Sequence, residues 1–343
     1  MSGGWNTIES DAVSQKADPT LMKNDQSFSL PQLLGVFTYL VENLGVKDIQ
    51  FEELVALDAD FLRELSPIYG LIFLFKYPTG ESKQKDHAGP LDGQWDFDAS
   101  DSGVWFANQT IQNACGTQAL LSVLFNKDGS GEVDIGGQLR EFKDFTGAFP
   151  AELRGEALSN SELIRDVHNS FARSLPFIDE TQRMATEDDD VYHFIAYASI
   201  NNTLYELDGL QPAPISHGPC VSFEFPEKII PVLQRRIERY PANEIRFNLL
   251  AMVRDLRIRS RELGDVEMLD REERKRRDWL WENALRRHNF VGFVGEVLKE
   301  VVRGKVQEGE GAYQKWIAEA VGKTKARAEE RTKKGGGMAE DED

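Results

Sequence analysis

The sequence predicts a mixed α/β body followed by a helical appendage, and three observations carry that prediction. "GLIFLFK" (Gly70 to Lys76) is a continuous apolar run of branched and aromatic residues, the pattern of a strand buried on both faces. "VYHFIAYASINNTLYELDGL" holds two apolar alternating runs around "INN", a strand, a turn and a returning strand. From about Leu256 acids and bases interleave without a strand signal, which reads as charged, exposed helix.

In chain order, "GWNTIES" reads as a short strand and the polar, aperiodic "DAVSQKADPTLMKNDQSFS" as an inserted loop. "LPQLLGVFTYLVENLG" has apolar residues at helical spacing and Gly45 as a stop. The loop from Glu81 to Gly103 is rich in Gly, Asp and Ser. A helix begins near Ala114, runs through "TQALLSVLF" and ends by Asn126 and Gly129. Another begins at Ser159, where "SNSE" places Glu162 three residues on in a capping box; Leu163, Ile164, Val167 and Phe171 share one of its faces. "RSLPFIDETQRMATEDDD" is a helix-breaking, acid-tipped connection of a length at which loops tend to be functional or disordered. "IRFNLLAMVRD" (Ile245 to Asp255) is one more buried strand. "FVGFVGEVLKEVV" then puts Phe290, Val294, Val297, Leu298 and Val301 on one helical stripe, and residues 324–343 read as a disordered charged tail.

Composition narrows the class. A chain of 343 residues buries a substantial core. Two cysteines, Cys115 and Cys220, make no disulfide framework, and no Cys/His cluster has zinc-ligand spacing, so a reducing compartment and no metal are expected. No basic-then-apolar leader and no run of eighteen apolar residues is present, so a soluble protein without membrane attachment is expected. The net charge of -18 argues against a nucleic-acid-binding face and suits a basic protein partner.

Cys115 stands at the expected start of a helix between Ala114 and Gly116, where the helix dipole favours a thiolate and small neighbours admit a substrate carbonyl. A buried free cysteine acting as a small hydrophobe fits the local sequence equally well. His193 lies at the start of the first hairpin strand and Asp208 at the end of the second, so the turn brings them side by side, as a base and its orienting carboxylate require. Gln109, six residues before Cys115, can supply an amide donor to a developing oxyanion; alone it reads as a surface glutamine. Of the remaining candidates, His168 reads as a packing or hydrogen-bonding residue and Cys220 as structural or idle. His87 and His217 read as residues of polar loops.

These residues lie in segments that resemble the ubiquitin carboxyl-terminal hydrolases, papain-like cysteine peptidases. The matching stretches are "GLIFLFK", "NQTIQNACGTQALLSVL", "LSNSELIRDVHNSFAR", "HFIAYASINNTLYELDGL" and "EIRFNLLAMV", which occur in family order across most of residues 5–255. The resemblance implies an α+β fold with a central antiparallel sheet wrapped by helices. It implies Gln109 as oxyanion donor, Cys115 as nucleophile, His193 as general base and Asp208 as its orienting partner, with no cofactor. It also implies a loop over the active site at about Ser174 to Asp190, and ubiquitin contacts at Val36 and Phe37. "ENALRRHNFVGFVGEVLKEVV" resembles the helical extension of the proteasome-associated branch, with Arg287, His288, Asn289, Phe290 and Phe293 in register and Gly292 where proline is common.

The implied organisation is a catalytic domain over 1–255, a docking extension over 256–323 and the tail. The implied partners are ubiquitin and its conjugates, a ubiquitin-receptor subunit of the proteasome and, as in animal relatives, a chromatin-remodelling complex, in cytoplasm and nucleus. The rival expectation is a non-catalytic or autoinhibited ubiquitin-binding adaptor of the proteasome.

Overall fold

The apolar run at Gly70 becomes an interior strand of a seven-stranded sheet. The structure, a computed structural model, describes residues 30–76, 90–111, 114–128, 130–171, 192–240 and 247–336. The expected first strand, the insertion after it, most of the enlarged loop, His87 and the connection at 174–190 lie outside the described residues.

The first compact unit runs through His288. Its elements are α1 (Leu30–Asn43), β1 (Ile49–Glu53), α2 (Ala59–Glu64), β2 (Ile68–Lys76), β3 (Gln94–Trp95), α3 (Cys115–Asp128), α4 (Gly136–Thr146), α5 (Ala151–Asn160) and α6 (Glu162–Asn169). They are followed by β4 (Tyr192–Ile200), β5 (Thr203–Leu207), β6 (Ile215–Pro219), α7 (Phe225–Ile237), β7 (Asn248–Arg254), α8 (Leu256–Leu263) and α9 (Val266–Arg287). The strand order is β1-β7-β2-β4-β5-β6-β3, and every pairing is antiparallel.

Because side chains alternate across a strand, each central strand feeds two cores. Ile72, Leu74, Phe194 and Ala196 join α1 and α3 on one face. Leu71, Phe73, Phe75, Ile195 and Tyr197 join α7 on the other. Two-sided burial is why β2 is an unbroken apolar run. The β4–β5 hairpin turns on Asn201 and Asn202, at φ 49° and 62°, the positive values that a two-residue hairpin turn demands and asparagine tolerates.

Three readings change. The helix expected from Ser159 starts later: Ser159 is the penultimate residue of α5, where its hydroxyl donates to the Glu156 carbonyl, and Ser161 caps α6 by accepting from the Ile164 amide at 3.4 Å. The charged helix expected to be exposed has a buried face. On α9, Trp279 is part of the core, Asn283 Nδ2 donates to the Gly35 carbonyl at 3.2 Å, and Arg276 reaches Glu42 at 2.8 Å and Asp255 at 3.1 Å. A Cβ on Gly35 would stand 2.9 Å from the Trp279 ring, so glycine there lets α1 and α9 close up. The compact body therefore continues past residue 255.

The second unit, from Asn289, contains α10 (Val291–Gln307) and α11 (Glu310–Gly336). Helix thus covers the first part of the stretch read as tail; residues 337–343 lie outside the described residues.

Candidate active site

Cys115 is the first residue of α3. The first helical bond there runs from the Gln118 amide to the Ala114 carbonyl at 2.8 Å, so the amides of Cys115 and Gly116 sit in the turn whose N–H groups lack helical acceptors. The thiol is partly exposed, whereas Cys220 is buried. Gly116 is small for a reason: a Cβ there would meet the Phe37 ring at 3.1 Å.

The hairpin delivers the second half of the site. His193 Nε2–H donates to Asp208 Oδ1 at 2.7 Å, and Cys115 is near enough to favour charge on the ring. Burial opposes charge on His193, yet the hydrogen bonds and negative partners at Asp208 and Cys115 outweigh it and push its pKa up from 6.5 to about 9. Burial likewise opposes ionisation of Asp208. Its bonds from His193 and the Leu210 amide, together with the Arg236 charge, overcome that and hold the carboxyl below its ordinary value. The imidazole is thus poised to carry a proton beside a nucleophilic sulfur.

Gln109 arrives by a third route. Its amide N–H donates to the Gly209 carbonyl at 2.8 Å, tying it to the residue after Asp208. Its side-chain Nε2 gives one hydrogen to the Ile111 carbonyl at 3.0 Å, leaving the other for a ligand. All four residues expected from the sequence lie in these three converging segments.

Other expected residues are placed differently. Val36 and Phe37 are 0% and 2% exposed, so they are core residues and present no surface to a partner. Phe37 lies 5.5 Å from the Phe194 ring and supports the site from beneath. Arg287 stacks over Phe171 at 4.4 Å, His288 caps the end of α9, and Asn289 Oδ1 accepts from the Val291 amide at 3.0 Å. Phe290 caps the start of α10, and Phe293 is 66% exposed. His168 is a buried bonding residue as expected, 2.8 Å from the Thr117 hydroxyl.

His217 is not in a polar loop. It sits on β6, and its buried imidazole donates from Nε2 to Glu206 Oε2 at 3.2 Å. Glu206 also binds Arg236 Nη1 at 2.6 Å, and the Arg236 guanidinium lies 4.6 Å over the Phe75 ring. Sequence reasoning missed this cluster and the buried amide of Gln118. The available signal for the latter was a carboxamide next to the apolar run Ala119–Leu121 of a buried helix. Among the described residues no His, Cys, Asp or Glu group is placed to hold a metal, and no helix is long and apolar enough to cross a membrane.

The sequence matches the family described as Ubiquitin carboxyl-terminal hydrolase, family 1, over residues 32–238, and that described as Ubiquitin carboxyl-terminal hydrolases over residues 265–306. It is 49% identical over 310 residues to Ubiquitin carboxyl-terminal hydrolase 2 of Schizosaccharomyces pombe, spanning 89% of this chain and 93% of that protein. It is 38% identical over 284 residues to ubh-4 of Caenorhabditis elegans, spanning 77% and 84%. The solved structure of the Trichinella spiralis UCH37 catalytic domain bound to ubiquitin vinyl methyl ester is similar with a TM-score of 0.55 and 36% identity, over 74% of this chain and 96% of that one.

Proposed function

This chain belongs to the ubiquitin carboxyl-terminal hydrolase family and is a thiol-dependent deubiquitinating peptidase, and we propose that Cys115, His193, Asp208 and Gln109 carry out its reaction. The observation that supports this most is the buried imidazole of His193, hydrogen-bonded to Asp208 and raised in pKa by both Asp208 and Cys115, the latter at a helix start.

The Cys115 thiol proton passes to His193, either in a resting ion pair or during attack, and the thiolate attacks the carbonyl carbon of ubiquitin's last glycine. A C–S bond forms and the carbonyl oxygen becomes an oxyanion. Gln109 and the Cys115 amide donate to it, each such donor being worth roughly 3–4 kcal/mol in the transition state. Collapse breaks the C–N bond, and His193 gives its proton to the leaving amine. His193 then deprotonates a water that attacks the thioester, which frees the ubiquitin carboxylate and regenerates the thiol. Asp208 holds the imidazole in orientation throughout.

α10 and α11 are read as an arm that docks on a ubiquitin-receptor subunit of the proteasome, with a chromatin-remodelling complex as a second host, in cytoplasm and nucleus. The support is a row of exposed apolar side chains on α10, including Phe293, Val294 and Leu298, of a kind that marks interaction surfaces. A pure adaptor would have no use for a partly exposed thiol at a helix start set beside the buried His193–Asp208 pair.

A ubiquitin probe with a C-terminal electrophile tests the chemistry. Wild type becomes covalently labelled and Cys115→Ala does not; absence of labelling in the wild type, even with proteasomes added, would favour the adaptor. Deleting residues 289–343, which leaves α9 in its body, abolishes co-purification with proteasomes; undiminished association would end that reading and leave the catalytic one standing.

A further inference from the structure

The three segments that bring Gln109, Cys115 and Asp208 together meet at one buried side chain that has no role in the reaction as written above. Gln118 lies on α3 three residues after Cys115, on the same side of the helix. It is 4% exposed and flanked by the buried Ala119, Leu120 and Leu121. An amide in such surroundings costs free energy unless it is bonded. Its Nε2 donates to the Ala107 carbonyl at 2.7 Å, two residues before Gln109.

The packing around it leaves no slack. A Cβ on Gly209 would stand 2.3 Å from Gln118 Nε2, 3.0 Å from the Gln109 Cβ and 3.1 Å from the Gln109 nitrogen. Gly209 is the residue after Asp208, and its carbonyl accepts from the Gln109 amide at 2.8 Å. The start of α3, the approach to Gln109 and the end of β5 therefore close on the Gln118 amide, with room at residue 209 for hydrogen only. The outer edge of the approach is fixed independently. The Asn108 amide donates to the Ala151 carbonyl at 3.0 Å, and a Cβ on Gly155 would stand 2.0 Å from the Asn108 carbonyl oxygen. Gln118 supplies the inner edge.

We propose that Gln118 is a positioning residue for the oxyanion side of the site, its buried amide holding residues 107–109 against α3 and Gly209 so that Gln109 faces the carbonyl under attack. This rests on the roles given to Gln109 and Cys115 above. A misaligned donor weakens transition-state stabilisation while leaving ground-state ubiquitin binding intact. The effect therefore falls on kcat and is expressed only through Gln109.

A double-mutant cycle on the full chain reads this directly, with kcat and KM measured on ubiquitin carrying a fluorogenic C-terminal amide. Gln109→Ala lowers kcat by about 10²-fold. Gln118→Met, which keeps the shape and removes the donor, lowers kcat by about tenfold at nearly constant KM. In the Gln109→Ala background the same substitution changes kcat by less than about twofold, since the group it positions is gone. Gln118→Leu, which also removes the donor but with a smaller side chain, is read in the same cycle and shows the same dependence on Gln109, so the test survives if Gln118→Met fails to fold. An unchanged kcat in Gln118→Met, or an equal loss with and without Gln109, overturns the proposal. If Gln109→Ala leaves kcat intact while Cys115→Ala abolishes turnover, it is the oxyanion assignment of Gln109 that falls first.

Discussion

The sheet carries two buried histidine–carboxylate pairs. His193 on β4 bonds Asp208 at the end of β5 at 2.7 Å, and His217 on β6 bonds Glu206 within β5 at 3.2 Å. The carboxylates are two residues apart in sequence, and both imidazoles are nearly closed to solvent. What differs is the third neighbour. His193 meets the Cys115 thiol at a helix start. His217 meets an ion cluster in which Arg236 neutralises Glu206 at 2.6 Å and Asp92 lies 3.8 Å from the free ring nitrogen. A buried imidazole on a carboxylate is therefore no signature of catalysis; a nucleophile close to the ring makes the site, and a guanidinium bonded directly to the carboxylate makes a structural clasp.

The largest test of that contrast is removal of the third neighbours and of the histidines themselves. Cys115→Ala and His193→Ala each lower kcat/KM by roughly 10⁴-fold or more, because members of one catalytic unit fail together. His217→Ala changes kcat/KM by less than about threefold, while unfolding in urea shows a loss of roughly 1.5–3 kcal/mol for the hydrogen bond to a charged group. A deep loss of kcat/KM in His217→Ala would erase the distinction.

The structural pair has its own weak point. Arg236→Met leaves Glu206 buried and without its cation, which costs roughly 3–5 kcal/mol, read as a lowered urea midpoint. Pairing it with Glu206→Gln recovers much of that, since the stranded charge is removed with its partner. If the double variant is no more stable than Arg236→Met alone, the clasp is held by the packing of Arg236 over Phe75 instead of by charge.

The same contrast explains what could be read in the sequence. β2 was legible because two-sided burial writes one uninterrupted apolar run, and the β4–β5 hairpin because Asn201 and Asn202 adopt the positive φ that such a turn needs. The pairing of His193 with Asp208 followed from that hairpin, since both lie at its outer ends. The His217 clasp did not follow, because its members come from β5, β6, α7 and the loop holding Asp92, and no local pattern joins them. α9 failed for a related reason: its buried face is written in Glu272, Arg276 and Asn283 as well as Trp279, and partners such as Glu42 and Gly35 stand more than two hundred residues away. The Ser161 cap was misread as Ser159 because the preceding α5 has too weak an apolar stripe to announce that the chain is already helical. The family resemblance implies contact roles for Val36 and Phe37, whereas α1 turns both into the core.

The finest test concerns protons. The folded pKa of His193 is raised from 6.5 to about 9, so its contribution to stability is complete below pH 6.5 and is lost as the pH rises through about 9. Unfolding free energy in the wild type therefore falls across that window, with a slope of at most about 1.4 kcal/mol per pH unit, the limit for one linked proton. Asp208→Asn removes the carboxylate whose hydrogen bond and charge do most to raise the imidazole above 6.5. The folded pKa then drops, the released proton leaves at lower pH, and the decline between pH 6.5 and 9 flattens. Urea unfolding of both proteins at three pH values across the window measures the difference. Parallel curves would mean that Asp208 orients the ring without binding its charge, and would bring the catalytic pair closer to a purely geometric clasp.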